Sequence, residues 1–240
     1  MLSKFKYKEF YFEERKAIIY YPSCEPNGRM LLKTEYLCAF PNFDAAMLDR
    51  GYHLIHIFKE SCWAPDYETE RMARFVKYCA NELNASERCV VEGMSCGGLQ
   101  GAKLAELHPE LVAVLYLDAA VLNILSMAGL GEIKCDEADM VYMWRELVAA
   151  YGVNRSTIIN FRKSPIDNMA PLIENNIPVI MLYGAADNTV VYEENGKVLE
   201  DYYKEHGGTI KVIAKSMCKH HPHGLDNPAP IIEFCEKHYK

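Results

Sequence analysis

A serine, two aspartates and a knot of histidines are the residues of this sequence whose spacing could do chemistry. Ser95 lies in Gly93-Met94-Ser95-Cys96-Gly97-Gly98, between the apolar run Cys89-Val90-Val91 and a helix-like stretch from Leu99 to Leu107. Strand, G-x-S-x-G, helix is the setting in which that pattern has a mechanical meaning. The glycines let the chain turn sharply, and the turn lifts the serine Oγ clear of the sheet. A serine hydroxyl needs a base to take its proton and a third group to orient that base. Asp187, in Tyr183-Gly184-Ala185-Ala186-Asp187, follows an apolar run. His223, in His220-His221-Pro222-His223-Gly224, follows the next run and precedes the last helical pattern. Serine, acid and base in that order, each after a strand, suit acyl transfer through a covalent intermediate, with Ser95 as nucleophile, Asp187 as acid and His223 as base.

Each assignment has a rival. Asp118 also ends an apolar run, Leu115-Tyr116-Leu117, and is the alternative acid. His220 and His221 are alternative bases, and Gly224 favours His223 because a glycine there permits a turn that presents the ring. Three histidines in four positions could instead ligate zinc, but no second ligand cluster accompanies them, so no metal and no cofactor is expected. The oxyanion hole should use the amide of Cys96, the residue after the nucleophile, and one from the loop after the third strand. Leu37-Cys38-Ala39-Phe40-Pro41 offers Ala39 or Phe40 there, since Pro41 has no N–H. Trp63 and Trp144 are candidate substrate-pocket aromatics. Trp63 follows the fourth strand on the side where open α/β sheets bind ligands. For Trp144, with Met127, Met143 and Tyr151, packing onto the body is the stronger expectation.

The elements that must position these groups follow from periodicity. Strands are expected over 7–12, 16–21, 30–39, 53–58, 88–92, 112–117, 178–183 and 209–214, and helices over 42–49, 66–83, 198–206 and 230–239. The first two strands, joined by Glu13-Glu14-Arg15, should be antiparallel. Later strands are nearly all apolar and alternate with helices, which implies an α/β fold with a mostly parallel central sheet and helices on both faces. Residues 120–168 break the rhythm with a helix around Ala138 to Tyr151, and are expected to form a short cap insertion within a single domain over residues 1–240.

The chain is long enough for one sizeable core. A net charge of −7 disfavours a nucleic-acid partner, which would want a basic face. The N-terminal Met-Leu-Ser-Lys-Phe-Lys-Tyr-Lys lacks the apolar core of a signal peptide, and no apolar run is long enough to cross a bilayer. Nine cysteines without a C-x-x-C pair read as reduced thiols, eight of them as small core residues. A cytoplasmic setting with no membrane partner is therefore expected, while the oligomeric state is not addressed.

Glu92-Gly93-Met94-Ser95-Cys96-Gly97-Gly98, Tyr183-Gly184-Ala185-Ala186-Asp187 and His-Pro-His-Gly-Leu-Asp-Asn-Pro from His221 resemble the α/β-hydrolase superfamily. The likeness is nearest to small bacterial esterase-like members related to prolyl-oligopeptidase catalytic domains and sugar-ester hydrolases. Cys96 departs from the arginine or histidine that many relatives bear after the nucleophile, and the H-G-G-G motif of the lipase-like branch is missing. The resemblance implies the α/β-hydrolase fold, the triad Ser95, Asp187 and His223, and a small-molecule ester substrate of which acylated sugars are one class. It leaves two rivals, a prolyl-oligopeptidase-like peptidase and a non-catalytic binding protein on a hydrolase scaffold.

Overall fold

The computed structural model describes residues 1–133 and 141–240, with the side chains of Val141 and Tyr142 left aside. Eight strands form one sheet: β1 (Tyr7–Phe12), β2 (Arg15–Tyr20), β3 (Met30–Lys33), β4 (His53–Ile57), β5 (Cys89–Met94), β6 (Val112–Asp118), β7 (Val179–Gly184) and β8 (Ile210–Lys215). Their order is β1-β2-β4-β3-β5-β6-β7-β8. The β1/β2 and β2/β4 pairs are antiparallel and the rest are parallel. Among the described residues, seven α-helices accompany them: α1 (Asn42–Leu48), α2 (Asp66–Leu83), α3 (Cys96–Leu107), α4 (Val141–Tyr151), α5 (Ala170–Glu174), α6 (Gly196–Glu205) and α7 (Ala229–His238).

Alternation along the strands builds a core on each face. In β5, Cys89 and Val91 point to the face covered by α2, α3 and α6, while Val90 joins α1 and α7 on the other. Parallel strands covered on both sides must be apolar throughout, and β5 and β6 are buried at every position. The helical spacing read in α2 places Met72, Phe75, Val76 and Cys79 against the sheet, all essentially inaccessible. Burial of such side chains stabilises the fold by about 1.5–3 kcal/mol each. The helix stops where Asn84 turns left-handed (φ 48°), a conformation asparagine tolerates better than most residues.

Two expectations need correction. The third strand ends at Lys33 rather than Ala39, because Tyr36 and Phe40 hold positive φ (55° and 49°) that a strand cannot accommodate. Of the eight described cysteines, only Cys79, Cys89 and Cys235 are buried. The helix expected around Ala138 to Tyr151 is present as α4 over Val141–Tyr151, and Ala138 lies outside the described residues. Between β6 and β7 the chain leaves the sheet, and its first residues are held by side chains: the Asn195 Oδ1, just before α6, accepts the amides of Leu122 and Asn123, and the Ser164 Oγ accepts that of Ile124. Among the described residues, no helix is long and apolar enough to cross a membrane.

Candidate active site

Ser95 sits between β5 and α3 with φ 52° and ψ −123°, a strained backbone for a residue with a side chain. Surrounding contacts impose that geometry. A Cβ on Gly93 would lie 2.6 Å from the Gly97 carbonyl oxygen, so the turn closes only with glycine there. The Ser95 amide donates to the Asp118 carbonyl (3.0 Å), and the Ser95 carbonyl accepts from the Gly98 and Val121 amides (2.9 and 3.0 Å). The turn is thus held by its own helix and by the end of β6.

His220, not His223, lies between Ser95 and Asp187. Ser95 Oγ is 3.0 Å from His220 Nε2, and His220 Nδ1 is 2.9 Å from Asp187 Oδ2. The other Asp187 oxygen accepts the amides of Thr189 (2.9 Å) and Val190 (3.0 Å). Burial alone would raise the Asp187 carboxyl. The hydrogen bond and charge of His220, with the Val190 and Thr189 amides, outweigh it and hold the group below the ordinary carboxylate value.

The placing of His223 against Ser95 is therefore corrected. Its Nδ1 is 3.3 Å from Asp118 Oδ1, and the Gly224 amide donates to Asp118 Oδ2 (2.5 Å). Gly224 does make the expected turn (φ 75°), but the turn presents His223 to Asp118. Asp118, the rival acid, is fully buried and is also paired with Lys215 Nζ at 3.0 Å. His221 is exposed, and burial of part of its ring, with the neighbouring His220 and His223, keeps its pKa below the ordinary imidazole value.

A residue missed in the sequence completes the cluster. Tyr36 lines the cavity with Ser95, and desolvation of its phenol, with Cys96 and Glu35 nearby, holds it well above the ordinary value, so it stays protonated and able to donate. Reading residues 30–39 as one strand hid it. The loop carrying it is fixed from below. The Thr34 hydroxyl lies within hydrogen-bonding distance of the carbonyls of Glu92 and Gly97 (3.0 and 2.7 Å). Lys33 Nζ donates to the Ala39 carbonyl (2.9 Å) and pairs with Asp44 (2.5 Å) and Glu92 (3.5 Å), all three side chains being buried. The Ala39 amide already donates to the Tyr36 carbonyl at 2.8 Å, so Ala39 is not the oxyanion donor expected. Cys96 is the first residue of α3, so its amide lies at the positive end of the helix dipole, on the Ser95 side. Phe40 contributes its ring, packed edge-on against His223.

A cavity of about 300 Å³ opens over Ser95, lined by Tyr36, Ala39, Phe40, Thr189, His220, His221 and His223. Trp63 and Trp144 are not among its walls. Trp63 is 1% exposed and packs with Leu99, Val121, Met127, Met143 and Phe161, because the segment after β6 folds down over it. Tyr151 Oη locks that contact by donating to the Trp63 carbonyl (2.6 Å). Trp144 is half-buried, with the Arg155 guanidinium 5.4 Å from its ring. Met127 and Met143 are packing residues, as expected.

No family model matches the sequence, and no curated protein matches it. Solved structures do. An acylaminoacyl peptidase from Pyrococcus horikoshii superposes with a TM-score of 0.73 at 14% identity, over 98% of this chain and 42% of its own. A putative dipeptidyl aminopeptidase IV from Bacteroides ovatus gives 0.72 at 13%, over 98% and 36%. A puromycin-hydrolyzing peptidase from Mycobacterium tuberculosis gives 0.69 at 11%, over 98% and 39%. The chain thus spans less than half the length of these neighbours. With its strand order and the turn at Ser95, the likeness establishes that the chain has the α/β-hydrolase fold.

Proposed function

We propose that the chain is a serine hydrolase that cleaves a small carboxylic ester through an acyl-enzyme. The observation that carries this reading is the continuous hydrogen-bonded relay from Ser95 through His220 to Asp187. His220 Nε2 takes the Ser95 proton as Oγ attacks the ester carbonyl, and the tetrahedral intermediate's oxyanion accepts hydrogen bonds from the Cys96 amide and the Tyr36 hydroxyl. His220 then gives its proton to the departing alcohol, leaving the acyl group on Oγ. A water molecule, deprotonated by the same imidazole, releases the acid and restores the serine. Asp187 holds the imidazole in the tautomer with Nδ1–H and stabilises the imidazolium. A cavity of about 300 Å³ suits a compact acyl group. Acylated sugars remain a substrate class of this reading, without Trp63 or Trp144 as a stacking platform.

The structural neighbours favour one second reading, cleavage of peptides, since those sampled are described as peptidases. An active-site fluorophosphonate should label Ser95 in the native chain and not in Ser95→Ala. Turnover of p-nitrophenyl acetate against aminoacyl p-nitroanilides then separates ester from amide cleavage. Labelling that persists in Ser95→Ala refutes the nucleophile assignment, and faster anilide than ester turnover selects the peptidase.

A further inference from the structure

The histidines around Ser95 exceed what acyl transfer uses. His220, His221 and His223 each offer a ring nitrogen, and these atoms lie within 4.8 Å of one another. The rings pack pairwise edge-to-face, with centroids 4.8 to 5.0 Å apart. His223 is the informative member. Its side chain is 2% exposed, its Nδ1 faces Asp118, and its Nε2 is buried with no hydrogen-bond partner while the ring lines the cavity over Ser95. A buried nitrogen left without a partner costs free energy unless something occupies the space it faces.

The carboxylates behind two of the rings give that nitrogen a chemical meaning. Asp118 beside His223 Nδ1 and Asp187 beside His220 Nδ1 both favour the tautomer that leaves Nε2 its lone pair, on rings that line the cavity. Carboxylate–imidazole pairs of this form orient metal-ligating histidines and raise their basicity. We propose that His220, His221 and His223 form an inhibitory site for a zinc ion, or another imidazole-preferring divalent transition metal, with an open fourth position toward Ser95. Tetrahedral nitrogens about 2.0–2.1 Å from zinc lie about 3.3 Å apart, so the rings must close by about 1.5 Å, which exposed His221 supplies most easily. The lone pair of His220 Nε2 that accepts the Ser95 proton is the one the metal takes, so coordination and acyl transfer exclude each other. Magnesium, which prefers oxygen ligands and retains its waters, should not compete.

The metal site stands on its own geometry, whereas its inhibitory effect rests on the reading of Ser95 as nucleophile. Two measurements keep these apart. Cobalt(II) titrated into Ser95→Ala should give the intense visible bands of a four-coordinate nitrogen site, and adding His221→Ala should weaken binding at least ~10-fold, the scale on which even outer partners of ligands act. In the native chain, micromolar zinc should slow fluorophosphonate labelling ~10-fold, with EDTA restoring it and equal magnesium having no effect. Absence of the cobalt bands, or unchanged cobalt affinity in the double variant, overturns the site. Cobalt bands with labelling unaffected by zinc overturn the inhibition. If the metal-free native chain does not label at all, the hydrolase reading fails, while the cobalt titration still decides the site.

Discussion

Replacing His220 and, separately, His223 with alanine tests which imidazole serves Ser95. His220 accepts from Ser95 Oγ at 3.0 Å and is oriented by Asp187 at 2.9 Å, so His220→Ala removes both proton acceptor and relay. In serine hydrolases that loss amounts to about 10,000-fold to 1,000,000-fold in rate, or about 5.5–8 kcal/mol of transition-state stabilisation. His223→Ala removes a 3.3 Å contact from Asp118, which keeps Lys215 Nζ and the Gly224 amide as partners. One lost hydrogen bond weakens the loop by about 1 kcal/mol. Even an ångström of resulting slack in His220 would cost about 100-fold. The two variants should therefore differ by at least ~100-fold. Second-order fluorophosphonate labelling is the suitable assay, since it reads activation of Ser95 without assuming a substrate; far-UV circular dichroism checks folding. A metal-free buffer with EDTA keeps the histidine cluster unoccupied in both. If His223→Ala labels as slowly as His220→Ala, or more slowly, the assignment of His220 is wrong.

Three further outcomes are expected. Tyr36→Phe deletes one oxyanion donor and should lower kcat by about 100-fold while leaving KM nearly unchanged; a rise in KM at constant kcat would make Tyr36 a substrate-binding wall instead. Asp187 is held below its ordinary pKa, so its stabilising share is present above the unfolded carboxylate value near ~3.9 and is lost as pH falls through the folded one. The denaturation midpoints of native chain and Asp187→Asn should thus differ most near neutrality and converge in acid, and an offset constant with pH would contradict the pairing. Trp63→Ala should destabilise the fold by about 3–5 kcal/mol, with little change in labelling rate per folded molecule; the opposite pattern would restore Trp63 to the substrate pocket.

Much of this architecture was legible because burial writes itself into sequence. β6 could be read as a fully covered strand since every residue from Val112 to Leu117 is apolar, and α2 since its apolar residues recur at helical intervals. Ser95 was legible for a local reason: the glycines that permit its turn, Gly93 and Gly97, lie two residues to either side of it. Tyr36 was not, because its position depends on where β3 stops, and β3 stops for tertiary reasons. Lys33 is spent on Asp44 and Glu92, Thr34 on the elbow, and the positive φ of Tyr36 leaves no local mark. Trp63 misled because a residue after a strand looks exposed until a distant segment folds over it. The choice between His220 and His223 lay beyond local patterns altogether. Both stand in one short loop, and the outcome turns on which carboxylate each one meets.

Asp118 explains how that outcome is enforced. It ends β6 directly opposite Met94 at the end of β5, so its carbonyl is placed to accept the Ser95 amide. That side chain holds Gly224, His223 and Lys215, and Lys215 Nζ also donates to the Pro222 carbonyl at 2.9 Å. A single buried residue thereby ties the turn bearing Ser95 to the loop bearing His220. A fully buried carboxylate is tolerable only when paired and hydrogen-bonded, and the ammonium, the amide and the imidazole supply that compensation. Removing its charge would leave Lys215 half-partnered and release the loop by which His220 reaches Ser95. On the proposed reading Asp118 contributes position rather than proton transfer, and the same contact turns His223 Nε2 away from Asp118, leaving it for the metal inferred above.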